Sequence, residues 1–340
     1  MFLPVILFDR YGWAGFFMFS IPNVLGCTAF GYVLRSPERS KAIVKKYRGA
    51  LASFAAITIA FHAFFLAGIA NFFISDFPQW WNIGLPTIVI LLGVALSFLP
   101  NRYWPLLATI IWCTSVGIGV AFWPGSIHLE SSPTHPWQDI VWLLPITTFG
   151  FFLCPYLDPT FHRALQSSPS KHSFGVFGIT FALMILLTCM YKDALVVGLS
   201  TIIVIHILLQ AVFTISAHMR EGWRCESKTR RVVFSLGTVL ACVIAVIAAL
   251  RTPENVQGMT NDYLRFFVFY GLIFPSFVAA FLWTKRSFTL IRGILFAFTL
   301  LLLIPLLESG YIGGSTWLCV LPVVVYAVWA LADQPRARLH

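Results

Sequence analysis

Arg35-Ser36-Pro37-Glu38-Arg39-Ser40-Lys41-Ala42-Ile43-Val44-Lys45-Lys46-Tyr47-Arg48-Gly49 places six basic residues between two long apolar stretches, 12–34 and 50–74. Stretches of roughly 17–25 apolar residues are long enough to cross the hydrocarbon slab of a bilayer as helices. Outward from this basic turn the same unit recurs. Further apolar stretches read 83–99, 104–123, 140–157, 173–190, 194–217, 232–250, 263–283, 290–307 and 312–332, eleven in all. The basic residues fall in every second gap. Arg102, then Arg163 and Lys171, then Arg220, Arg224, Lys228, Arg230 and Arg231, then Lys285, Arg286 and Arg292, and finally Arg336 and Arg338 share a side with the first gap. That side holds 19 of the 23 basic residues, and the other holds Arg10, Lys192, Arg251 and Arg265. One missed or invented helix would scramble this parity. The pattern predicts an all-α, polytopic membrane helical bundle of about 11 transmembrane helices. Positive charge accumulates on the cytoplasmic side, so the N-terminus is expected outside and the C-terminus in the cytoplasm. A multi-pass protein of the cell inner (plasma) membrane is the localisation that follows.

Composition agrees. Apolar residues make up 59% of the chain and charged residues 11%, against about 25% charged in soluble domains. No gap is long enough to fold alone, so residues 1–340 read as a single integral membrane domain. The net charge of +10 is what topology requires and needs no nucleic-acid partner; the partner it implies is the lipid bilayer, with anionic headgroups near the basic loops. Seven cysteines occur without a CxxC pair, so neither a disulfide framework nor a zinc site is expected. Met1–Phe8 is apolar but too short to span, and it lacks the basic start and small-residue cleavage site of a signal peptide.

Breaks inside the stretches carry more information. The fifth reads Leu144-Pro145-Ile146-Thr147-Thr148-Phe149-Gly150-Phe151-Phe152-Leu153-Cys154-Pro155-Tyr156-Leu157-Asp158-Pro159. Proline has no N–H to donate and its ring clashes with the preceding turn. Two prolines around Tyr-Leu-Asp therefore predict unwinding at Cys154–Pro159. Freed backbone at membrane depth survives only when buried in protein or lining a cavity; the plainer alternative is that this segment is the cytoplasmic exit of the helix. A milder break is expected in the first stretch at Ile21-Pro22-Asn23-Val24-Leu25-Gly26. The second and seventh stretches are unusually long and lie five apart, as partners in an inverted repeat of five helices would.

The run Phe149–Arg163 resembles the broken-helix region of sodium/solute-symporter-like proteins of the five-plus-five inverted-repeat transporter superfamily. Tyr11-Gly12-Trp13-Ala14-Gly15 through Ile21-Pro22-Asn23 to Gly31 is similar to the second core helix of that family. The resemblance covers about 60 residues; elsewhere it is one of topology. It implies that 12–123 is a partial first repeat, 140–283 the second repeat and 290–332 two accessory helices. On this alignment the family's first core helix is missing, and Met1–Phe8 is not expected to replace it. The chain would then be a truncated form, a partner would supply that helix, or this branch would no longer transport by the family mechanism.

Ionisable groups within a membrane are costly and mark function. The candidates for solute or ion binding are Asn23, Cys154, Tyr156, Asp158, His62 and His206. Asp158 lies in the fifth-stretch break, with Arg163 its nearest plausible partner in sequence and His162 a second. His62 and His206 sit within the two long stretches, where an imidazole would relay protons or bind a solute, or would simply hydrogen-bond a neighbouring helix. Ser200 and Thr201 occupy the stretch where the family places sodium-binding hydroxyls, although they lie toward its outer half. Motifs of soluble enzymes are missing, and no cofactor, metal or catalytic residue is expected. The sequence thus reads as a secondary-transporter-like membrane protein moving an unidentified small solute, with Na+ or H+ as candidate coupling ion. The alternative is a non-transporting scaffold, sensor or subunit that keeps the architecture. An intramembrane enzyme using His62 or His206 is a distant third reading.

Overall fold

A computed structural model describes residues 2–73, 78–126, 133–168, 170, 172–190, 201–224, 227–251, 256–283 and 288–332. Among the described residues every regular element is helical. In chain order they are α1 (Leu3–Leu34), α2 (Pro37–Lys46), α3 (Arg48–Phe73), α4 (Trp81–Ser97), α5 (Trp104–Ser126), α6 (Asp139–Leu153), α7 (Pro159–Ser167) and α8 (Ser173–Leu187). Then come α9 (Thr201–Trp223), α10 (Lys228–Arg251), α11 (Val256–Phe266), the short α12 (Phe274–Phe277), α13 (Leu290–Tyr311) and α14 (Val320–Ala332). Among the described residues eight helices are long and apolar enough to cross a membrane, and shorter apolar helices cover Trp81–Ser97, Ser173–Leu187 and Thr316–Leu331. Their outward faces are greasy. On α10, Val233, Leu236, Val239, Leu240 and Ile244 are exposed, as are Leu290, Ile291, Ile294, Phe298 and Leu301 on α13. Continuous apolar faces of this kind are disfavoured in water and suit hydrocarbon. The chain is a multi-pass helical membrane bundle.

Two groups of helices make up the bundle. In one, α3 is central and packs on α4, α9 and α10, while α4 also lies along α9. Its spine is small: Ala55, Ala60, Ala63, Ala67 and Ala70 are buried. Small residues let helix backbones approach closely where no hydrophobic force drives them together. In the other group α1 packs on α6 and α8. Gly26 is required at the α1–α6 crossing, because a Cβ there would land on the Phe151 carbonyl and 2.8 Å from Phe152 Cα.

The first helix departs from the sequence expectation in two ways. It starts at Leu3, with Pro4 in the first turn, and residues 3–8 are buried. It runs unbroken through Pro22–Gly26, where a mild break was expected, and is interrupted instead at Gly12 (φ 63°, ψ −152°). That conformation is essentially open only to glycine. The chain doubles back there, since a Cβ on Gly15 would lie on the Leu7 carbonyl; in a straight helix Leu7 and Gly15 would be about 12 Å apart. Residues 3–11 therefore form a half-helix tucked into the bundle. The turn is held at one end of the molecule, where His135 N–H donates to the Arg10 carbonyl (3.0 Å) and Arg10 donates to the Tyr311 carbonyl (3.2 Å). The buried end reaches Phe65 on α3 (ring centroids 5.0 Å) and takes a contact from Leu3 N–H to the Tyr263 hydroxyl (3.2 Å) on α11. The apolar residues 2–8, part of a segment too short to span a membrane, are packed inside the bundle.

Candidate functional site

The broken fifth stretch is the centre of the site. Because Pro155 cannot donate, α6 stops at Leu153 and tightens into a 3-10 turn, Cys154–Tyr156. The chain then leaves helical geometry at Asp158 (φ −77°, ψ 111°) and restarts as α7 with Pro159 in its first turn. Pro at this position suits a helix start, where its missing N–H would have no partner anyway. The unwinding lies where the sequence predicts it. The partner of Asp158 does not. Its Oδ1 accepts from Thr160 N–H (2.8 Å) and from the Thr160 hydroxyl (2.6 Å), so it is the N-cap of α7. Arg163 instead pairs with Glu221 of α9 at 3.2 Å, and Arg224 joins the same carboxylate at 3.3 Å.

His162 is buried and also has other partners than Asp158. Its Nε2 donates to the Tyr156 carbonyl (3.0 Å), which leaves Nδ1 to accept the Ser40 hydroxyl (2.9 Å) in the neutral tautomer. Gln166 donates to the same Ser40 oxygen (2.9 Å). Burial holds the His162 imidazole below its ordinary range. The half-helix α7 is thus fastened on one side to α2 and on the other to α9.

Deeper in the bundle a line of polar groups crosses from α6 to α3. Cys154 Sγ donates to the Tyr270 carbonyl (3.0 Å), the Tyr270 hydroxyl donates to Thr58 Oγ1 (3.0 Å), and His62 Nδ1 donates to the Thr58 carbonyl (2.8 Å). The Tyr270 carbonyl points at Cys154 because residues Phe269–Ile273 form a π-turn, followed by a second at Val278–Trp283. Such turns shift carbonyls out of the α-helical ladder and recur at functional sites. Gly150 permits the approach, since a Cβ there would sit 2.9 Å from the Tyr270 carbonyl. Asn23 accepts from Cys27 Sγ (3.6 Å) one turn along α1. His62 and Tyr270 are both partly buried.

Of the six candidates, Asn23, Cys154, Tyr156, Asp158 and His62 fall along this cluster. His206 is buried on α9, and the hydrogen-bonded line from Cys154 to His62 does not pass through it. Ser200 and the side chain of Thr201 lie outside the described residues. Sequence reasoning missed Tyr270 and Thr58, ordinary residues in apolar stretches with nothing local to mark them. The seventh stretch, expected to end at residue 217, continues as α9 to Trp223, and His218 is buried with its ring 6.1 Å from that of Phe54. Arg220, Glu221 and Arg224 looked like loop charges, but they pair with one another and with Arg163 and Asn101 at the helix end. Among the described residues no three His, Cys, Asp or Glu side chains converge as metal ligands.

At the other end of the bundle Arg265 bridges Asp262 (2.6 Å) and Glu308 (2.8 Å), and the Thr316 hydroxyl donates to Asp139 (2.9 Å). No protein-family model matches this chain, and no curated protein and no solved structure matches it either.

Proposed function

We propose that this chain is a secondary-transporter-like membrane protein with eleven spans, N-terminus outside and C-terminus cytoplasmic. It binds a small solute between the break at Cys154–Asp158 and the half-helix 3–11, and moves it by alternating access. The observation that carries the reading is the pair of half-helices. An exchange that takes α1 to α8, α3 to α9 and α4 to α10 turns the α3–α10 packing into the α9–α4 packing, and both are present. The same exchange takes residues 3–11, which lead into the rest of α1, to α7, which leads into α8. That correspondence supports reading an inverted repeat, in which discontinuous helices meet near the midplane at the solute site. It also supplies the outer half of the helix that the sequence reading counted as missing. Tyr270, Thr58 and His62 are the polar groups positioned to orient a solute; Asp158 supplies the negative charge nearest the break, to which a coupling Na+ or H+ would respond.

The alternative, a non-transporting scaffold, draws on the filling of the interior by Phe8, Phe19, Phe54, Phe64 and Phe274, all buried. Asp158→Asn separates the two. Asparagine caps a helix as well as aspartate, so the variant should fold and melt like the wild type while losing the charge. Purified protein is screened by thermal shift against a library of small polar solutes, and hits are tested for uptake into proteoliposomes. The transporter reading expects at least one hit whose uptake Asp158→Asn abolishes. A protein that takes up none of the solutes that stabilise it would belong to the scaffold reading.

A further inference from the structure

The helix α2 carries charge in excess of what a connecting turn needs, and the way it is mounted says what that charge meets. It is a preformed helix: Ser36 caps it by accepting Arg39 N–H (3.2 Å), Pro37 opens it, Glu38 lies in the first turn, and Lys45 and Lys46 lie in the last. Each of these favours a helix, the acid and the bases by complementing its dipole. One face, with Ser40, Ile43, Val44 and Tyr47, is turned into the protein. The Tyr47 hydroxyl donates to the Phe281 carbonyl (2.8 Å), and Ser40 is the fully buried hinge to His162 and Gln166. The outward side presents Arg39, Lys41 and Lys45, all exposed, against one acid, Glu38. Only Arg35 and Ser36 separate α2 from membrane-crossing α1, and only Tyr47 separates it from α3. The helix cannot move away from the bilayer surface, so its cationic face is held at headgroup depth.

We propose that α2 is a docking helix for anionic phospholipid headgroups, and that an occupied α2 steadies the half-helix α7 through Ser40. This holds whether or not the chain transports a solute. A basic residue near an anionic surface is worth roughly a five-fold gain in binding, so neutralising three should weaken binding about 100-fold. The chain already places many cations on this side. What distinguishes α2 is their concentration on one rigid face coupled to the broken helix.

The test uses the full chain in a neutral detergent. Phosphatidylglycerol is titrated and the thermal midpoint is read, with phosphatidylcholine and soluble glycerol phosphate as separate arms. Phosphatidylglycerol should stabilise and the other two should not, and the effect should fade in high salt. The triple variant Arg39→Gln, Lys41→Gln, Lys45→Gln should need about 100-fold more lipid for the same shift. A charge-matched triple on α10, Lys228→Gln, Arg230→Gln, Arg231→Gln, should respond like the wild type. Hydrogen exchange of residues 156–168 should slow on adding lipid, and Ser40→Ala should remove that slowing without changing the lipid requirement. Equal stabilisation by phosphatidylcholine, equal stabilisation by glycerol phosphate, or an equal loss in the two triple variants would overturn the proposal. Unchanged exchange in 156–168 would overturn its coupling to α7.

Discussion

Replacing Gly12 with alanine tests the turn on which the half-helix depends. Gly12 adopts φ 63°, ψ −152°, a region that costs an L-residue with a Cβ about 1–3 kcal/mol. Against this, alanine reduces the freedom of the unfolded chain, which returns about 0.4–1 kcal/mol. The net loss is about 1–2 kcal/mol, up to a thirty-fold change in the folded-to-unfolded ratio. At about 2 °C per kcal/mol for a chain of this size, the melting point should fall by roughly 2–4 °C. Gly117 on α5 is the control: it is helical, exposed, and a Cβ there meets nothing within 4 Å. Gly117→Ala should stabilise by about 0.5–1 kcal/mol through helix propensity alone. The assay is thermal unfolding in detergent followed with a thiol-reactive fluorophore, for which the buried thiols Cys27, Cys154, Cys189, Cys242 and Cys319 act as reporters. If Gly12→Ala melts at or above the wild-type temperature while Gly117→Ala behaves as stated, residue 12 is not a left-handed turn. The folded-back half-helix would then be wrong.

Two further changes probe the site from either side. Gly26→Val should wedge α1 from α6 at the Phe151 carbonyl, a backbone atom that cannot rotate away; overpacking of this kind costs about 1–3 kcal/mol, read as a lower melting point. His162 gives a pH dependence: burial lowers its folded-state pKa below the unfolded value, so the unfolded chain takes up the proton first. Its contribution is complete above about pH 6.5 and is lost as the pH falls from there through the folded-state pKa. His162→Gln should flatten the melting-point profile in that acidic window while leaving the profile above it parallel to wild type.

The legible parts of this molecule are those in which cause and effect are close in sequence. Basic gaps beside long apolar stretches gave the helices, and Pro155 and Pro159 fixed the break because a missing N–H acts on its own turn. Partners were not legible. Arg163 sits five residues from Asp158 but reaches Glu221, 58 positions away, because α7 packs against the end of α9. The half-helix 3–11 was invisible for a different reason. Nine residues are too few for the length rule that finds spans, and their burial depends on Phe65 and Tyr263, which only the folded bundle brings near. The π-turn at Tyr270 has no sequence signature, so the carbonyl it hands to Cys154 had to be found in the structure.

The central claim is that the polar line at the break is reached from one surface of the membrane at a time. Cys154, buried at 8% exposure, reports on this directly. In a variant retaining only this cysteine, labelling by a small membrane-impermeant thiosulfonate is compared between right-side-out and inverted vesicles, with detergent-unfolded protein as the full-reaction reference. The account predicts labelling from at least one face, slowed by a stabilising solute and altered by Asp158→Asn. A thiol that reacts fully once unfolded but from neither face in the folded protein would contradict it.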